Sequence, residues 1–199
     1  MRNQIIVTIG REHGSGGHYI ASLLAERLGV PLYDKEILNG VIEKSGYDLT
    51  LVDQMDEKPV NLFFSRRIGA FSNSLEANVA EHTFNLIREK AEQGESFVVV
   101  GRCAEQVLSD NPNVVRVFIY SDSKSKISRI METDGVSERE AANIIRTVDR
   151  ERKAYHNYYC DTKWGDCRGY DLAINSGKIG IPDVAEALMR YIRAFMERA

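Results

Sequence analysis

Long apolar runs are missing from this 199-residue chain: nowhere does it approach the ~20 consecutive apolar residues that a membrane helix needs. The segment Met1 to Ile5 has neither the apolar core nor the small-residue cleavage site of a secretory leader. Cysteine is scarce. Cys103, Cys160 and Cys167 form an odd, scattered set whose Cys160-x6-Cys167 spacing matches no usual zinc pattern. We therefore expect reduced, structural thiols and assign no residue to a metal. Positive charge is not in surplus either. The formal net charge of −3 excludes a general electrostatic affinity for nucleic acid, so any anion site must be a local concentration of arginine. These absences point to a cytoplasmic protein with neither a nucleic-acid nor a membrane partner.

What is present is one domain's worth of alternating strand and helix signals, with no internal repeat and no low-complexity segment. Five short β-branched apolar runs read as strands buried on both faces: Gln4–Ile9, Val30–Tyr33, Phe97–Val100, Val114–Tyr120 and Asp171–Asn175. Between them, helical spacing marks His18–Leu28, a helix opened by Asp34 with Ile37, Leu38, Val41 and Ile42 on one face, Leu75–Gln93, Cys103–Leu108 and Ser123–Glu132. Ser137 and Glu140 form a capping box that opens a helix reaching Tyr159, and Ile181–Glu197 closes the chain. Ser45–Asn73 reads as short helices and loops, a candidate mobile lobe. The expected fold is a doubly wound α/β sandwich with a five-stranded parallel sheet and ligand loops at the carboxyl ends of the strands.

The first chemical signal is the turn after the first strand, Arg11-Glu12-His13-Gly14-Ser15-Gly16-Gly17-His18-Tyr19. Three glycines in four residues exceed what a tight turn needs. Glycine admits backbone conformations closed to other residues, and free amides with the helix dipole bind phosphate. With Gly16 as the last glycine of the pattern G-x-x-x-x-G-K-[ST], Gly17 takes the lysine position and His18 the hydroxyl position. Arg11 and Lys35 are then candidate cations. A dinucleotide fingerprint is excluded because Tyr19 stands where its third glycine belongs.

Asp34, at the end of the second strand, is either a helix N-cap or a contact for an acceptor nucleotide or Mg²⁺. Arg102 follows the Phe97–Val100 strand. Its planar fork suits phosphate, the alternative being a structural ion pair. On the long helix, Arg139, Arg146, Arg150, Arg152 and Lys153 are either a solvated face or a lid over transferring phosphates. Arg146 and Arg150 share one face, with Asp149 beside them to orient them. The aromatic cluster Tyr155, Tyr158, Tyr159 and Trp164 either packs that helix or stacks a base.

Taken in order, Arg11 to Ala21, Leu28 to Lys35, Val99-Val100-Gly101-Arg102, Asp149-Arg150-Glu151-Arg152, Tyr158-Tyr159 and Trp164-Gly165-Asp166-Cys167 resemble the cytidylate kinase-like family over nearly the whole chain. The resemblance implies a P-loop kinase fold, an acceptor-binding helical lobe near residues 35–95 and a lid near 123–165. It implies that Arg11, His13, Gly14, Ser15, Gly16, Gly17, His18 and Tyr19 hold the phosphates of ATP with Mg²⁺. Asp34 and Arg102 would face a small-molecule or nucleoside monophosphate acceptor, and Arg146 and Arg150 would serve the lid. Two functions follow: an ATP-dependent phosphotransferase, or a nucleotide-binding sensor on a kinase fold, the latter motivated by the missing lysine. Either could be oligomeric.

Overall fold

The computed structural model of the chain describes residues 4–34, 67–68, 71–72 and 75–198. Lys35, the helix expected after Asp34 and most of the expected acceptor lobe lie outside the described residues.

Five parallel strands make the central sheet: β1 (Ile6–Arg11), β2 (Leu32–Tyr33), β5 (Phe97–Val100), β6 (Val114–Tyr120) and β7 (Leu172–Asn175), in the order β2-β5-β1-β6-β7. A separate antiparallel pair joins β3 (Arg67–Ile68) to β4 (Phe71–Ser72). The longer helices are α1 (Gly17–Leu28), α2 (Leu75–Glu92), α4 (Ser123–Asp134), α5 (Glu138–Tyr159) and α7 (Ile181–Glu197). Single turns α3 (Ala104–Val107) and α6 (Ser176–Ile179) complete the α-helices among the described residues.

Strand residues alternate between two apolar layers because successive side chains leave a strand on opposite faces. Val7, Ile9, Val98, Val100, Val115 and Val117 pack with Ile20 and Leu24 of α1 and Val184, Leu188 and Ile192 of α7. Ile6, Phe97, Val99 and Val114 pack on the other face with Ile87 and Ala91 of α2 and Leu108. Continuous hydrophobic strands are thus what a sheet covered on both faces requires. The 3.6-residue spacing of α1 ends at Gly29, whose φ of 66° lets its N–H bond back to the carbonyls of Ala25 and Glu26. The expected capping box is present at α5, where Ser137 and Glu140 satisfy each other's amides.

One boundary differs in a way that matters. The expected first strand stops at Ile9, but β1 continues through Gly10 and Arg11, which pair with Phe118 and Ile119 of β6. The longer partner strand draws them into the ladder. Arg11 is therefore anchored in the sheet rather than carried on the loop. β1 lies between β5 and β6. The chain leaves it toward β2 on one side and later crosses to β6 and β7 on the other, so the ligand crevice of such a sheet falls at the carboxyl end of β1.

Candidate functional site

Residues 12–16 turn the chain from β1 into α1. Helix α1 has a glycine at its N-cap and no acidic residue in its first turn, so apart from the Gly17 N–H, which the Ser15 hydroxyl accepts, its leading amides and positive dipole end are left to an outside anion. Gly14 and Gly16 have φ of 74° and 78°. A Cβ at Gly16 would stand 2.6 Å from Ile181 Cδ1 at the start of α7, and one at Gly14 would stand 3.0 Å from the Lys126 carbonyl oxygen in α4. Two later helices therefore clasp the loop, and glycine is what lets them close. Ser15 turns inward: its hydroxyl donates to the Glu12 carbonyl at 2.8 Å and accepts from the Gly17 N–H at 3.3 Å.

Beneath the loop, Lys126 Nζ lies 3.0 Å from Glu12 Oε2 and 3.2 Å from Asp149 Oδ2. Asp149 Oδ1 accepts the His13 N–H at 2.6 Å. Burial disfavours the Lys126 ammonium, but Glu12 and Asp149 outweigh it, and its pKa stands above the ordinary lysine value. Asp149 thus ties α5 to the loop. The partners it takes are the His13 amide and Lys126, not the arginines beside it in sequence, Arg146 and Arg150.

Above the loop opens a crevice of about 350 Å³. Every residue of the predicted donor set except Ser15 lines it, and so do Asp34 and Arg102. Asp34 Oδ2 stands 4.0 Å from His18 Nε2. Burial, then the Arg152 charge, lowers the His13 pKa, so its imidazole is neutral near pH 7. Arg102 is 2% exposed and donates to the Val100 carbonyl at 3.3 Å. It sits in a run of three left-handed residues, with φ of 72° at Gly101, 61° at Arg102 and 51° at Cys103.

Two further cations complete the lining. Arg129 from α4 donates to the Gly14 carbonyl, and Arg152 from α5 lies 3.5 Å from the Arg11 carbonyl. Arg146 and Arg150 are exposed and do not line the crevice. The reason is helical phase. Ala141, Ile145, Asp149, Arg152 and His156 recur at intervals of four and three, which is the face α5 turns inward. That stripe was available to find Arg152. Arg129 has no local signal, since only the packing of α4 against Gly14 brings it to the site.

Behind Arg102 lies a buried polar cluster. His156 Nε2 is 2.7 Å from Glu105 Oε1, both side chains 6% exposed. Burial alone would lower the His156 pKa, but hydrogen bonds to Cys160 and Glu105 overcome it and push the value up to about 9. The Cys160 thiol is held down to about 7, first by a hydrogen bond from Cys103 and, after the opposing effect of burial, by His156. The donor atoms of Glu105, His156 and Cys160 lie within 4.8 Å of one another. A histidine whose pKa rises on folding stabilises the fold fully below its unfolded value of about 6.5, and that contribution is lost as pH rises through about 9. Glu105→Gln is therefore expected to cost roughly 2 kcal/mol at pH 6.5 and less than half of that at pH 10. Urea unfolding at the two pH values measures this, and an equal cost at both would mean a neutral pair.

The aromatic residues mostly pack. Trp164 stands edge-on to Phe118 at 5.4 Å and Tyr159 edge-on to Phe84 at 5.2 Å, while Tyr158 remains 44% exposed.

The family model for the cytidylate kinase-like family matches residues 6–178. A cytidylate kinase of Archaeoglobus fulgidus is 24% identical over 192 residues, covering 94% of this chain and 93% of that protein. A crystal structure of an uncharacterised protein from Eubacterium ventriosum superposes with a TM-score of 0.77 at 42% identity, over 96% of this chain and 99% of that one. A gluconokinase from Sinorhizobium meliloti superposes with a TM-score of 0.62 at 13% identity, over 100% and 97%, a likeness of fold. Among the described residues, no helix is long and apolar enough to cross a membrane.

Proposed function

The chain belongs to the cytidylate kinase-like family and has the five-stranded P-loop kinase fold, and from that premise we propose that it is an ATP-dependent phosphotransferase acting on a nucleotide or another small acceptor. One observation carries the reading: Arg11, Arg102, Arg129 and Arg152, from three elements and the turn after β5, line a single crevice that opens on the glycine-capped N-terminus of α1. Phosphoryl transfer asks little covalent chemistry of the protein. It needs the two phosphate-bearing partners held in line and the charge on the transferring group stabilised.

In this reading the amides between Gly14 and Tyr19 that Glu12 and Ser15 do not already take hold the donor phosphates, and Asp34 and Arg102 face the acceptor. Mg²⁺ would be held beside Asp34, neutralising charge between the donor phosphates as it does in other kinases. Asp34 suits that task by its place, a carboxylate after the end of β2 that lines the crevice beside the loop. Arg146 and Arg150, exposed on α5, come to the phosphates only when that helix closes. Their contribution belongs to turnover rather than to ground-state binding.

The test is a coupled assay of ADP release with Mg·ATP against a panel of nucleoside monophosphates and small hydroxyl acceptors, with Arg150→Ala alongside. Acceptor-dependent turnover is expected, and Arg150→Ala should lower kcat about tenfold with little change in KM. The second reading, a nucleotide sensor, is favoured by the glycine and histidine that stand at the lysine and hydroxyl positions of the loop. Saturable nucleotide binding without any acceptor-dependent product would select it.

A further inference from the structure

Aligned on the pattern G-x-x-x-x-G-K-[ST] with Gly16 as its second glycine, the loop departs at three positions: His18 stands where the hydroxyl belongs, and two linked changes put Arg11 where the first glycine belongs and Gly17 where the lysine belongs. A cation and a glycine have exchanged places. The structure shows why the two changes go together. Arg11 is the last residue of β1 and Gly17 the first of α1, and they face each other across the turn. A Cβ on Gly17 would stand 2.6 Å from Arg11 Cβ and 3.2 Å from Arg11 Cγ. A Cβ is fixed by its own backbone, so no side-chain rotation relieves that contact. Gly17 is not among the residues with positive φ, so its backbone does not demand glycine. The missing side chain is what admits the Arg11 stem.

The Arg11 stem therefore fills the volume from which a lysine at position 17 would start toward the phosphates, and Arg11 and Gly17 line the same crevice. We propose that Arg11 does the work of the absent P-loop lysine: its guanidinium, delivered from the strand instead of the helix, binds the terminal phosphates of the donor. A planar fork replaces a point charge there, which favours two-oxygen contact with a phosphate. The inference deepens the phosphotransferase reading and rests on it only for the identity of the anion as ATP.

The experiment is calorimetric titration of the full chain with Mg·ATP and, separately, with inorganic tripolyphosphate. The proteins compared are the wild type, Arg11→Met, Arg11→Lys and the double variant Arg11→Gly/Gly17→Lys, each with its thermal unfolding midpoint. Methionine keeps the stem over Gly17 and removes the charge. Arg11→Met is expected to weaken both ligands about 10- to 100-fold at an unchanged midpoint. Arg11→Lys should retain more affinity than Arg11→Met, and the double variant, which restores the glycine and the lysine of the standard pattern, should return to within about fivefold of the wild type. Tripolyphosphate affinity equal in Arg11→Met and wild type overturns the proposal. If the double variant does not fold, the comparison of Arg11→Met with Arg11→Lys decides, and equal affinity in those two overturns it. A wild type that binds tripolyphosphate through Arg11 but not ATP upholds the proposal and sinks the nucleotide reading. A wild type that binds neither overturns both.

Discussion

Arg102→Gln is expected to lower kcat/KM for phosphoryl transfer about 10²- to 10³-fold while leaving stability unchanged or higher. The two halves of that expectation come from one fact: the Arg102 side chain is a charge that is 2% exposed. Stripping an ion of water costs several kcal/mol even after relaxation; hydrogen bonds such as the one to the Val100 carbonyl offset that cost in the folded chain, and a neutral side chain of similar length does not incur it. The backbone there is costly too. Arg102 and Cys103 are successive non-glycine residues with φ of 61° and 51°, and each such residue costs roughly 1–3 kcal/mol. A buried charge on a strained backbone at a strand's carboxyl edge is the expected signature of a group kept for a ligand. A structural ion pair predicts the opposite pattern, with activity within tenfold of wild type in the molecules that stay folded and a clear drop in unfolding free energy. Measuring turnover and urea unfolding on the same variant therefore separates the two roles of Arg102 that the sequence leaves open. Glutamine is preferable to alanine because it does not add a core cavity to the comparison.

The sheet was legible because a strand buried on both faces leaves a continuous apolar run, and Phe97-Val98-Val99-Val100 is one whatever lies on either side of it. The glycine loop was legible because its position between a strand and a helix, more than its composition, gives glycines a purpose. The strand order was not, since nothing in a run such as Leu32-Tyr33 says that it pairs with β5 rather than β1. The cations divide in the same way. Arg11 ends a strand and Arg102 follows one, and strand ends converge in any doubly wound sheet, so sequence position alone brings them to the crevice. Arg129 and Arg152 reach it from helices, and a helix has several faces. For Arg152 the phase is set by Ile145 and His156, which share its buried stripe. Choosing Arg146 and Arg150 for their spacing of four identified a shared face but not which way it turns. For Asp149, charge pairing along the helix suggested neighbouring arginines. The partners it found, the His13 amide and Lys126, are 136 and 23 residues away in the chain, a distance at which local pattern carries no information.

Those partners set the remaining large effect. Lys126→Met is expected to destabilise the fold by about 2–4 kcal/mol and, independently, to weaken tripolyphosphate binding. Lys126 holds two carboxylates that arrive from opposite directions, Glu12 at the end of β1 and Asp149 in α5, with side chains only 25% and 17% exposed. Without the ammonium, both carboxylates remain within the space of one missing nitrogen and repel each other in a medium that screens them poorly. Methionine fills the stem's volume, so the loss is electrostatic and not a cavity. The repulsion has a geometric outlet: Asp149 moves away and releases the His13 N–H that it holds at 2.6 Å. The loop then loses its tie to α5, which is why phosphate affinity falls along with stability. A second substitution, Asp149→Asn, should recover part of the loss, since its amide oxygen still accepts from His13 but carries no charge. The two substitutions touch one network and are expected to be non-additive by about 1–2 kcal/mol. Strict additivity of the two, or a Lys126→Met protein with wild-type stability and wild-type tripolyphosphate affinity, would mean that the three charges are neighbours on the surface and that the loop holds its shape without them.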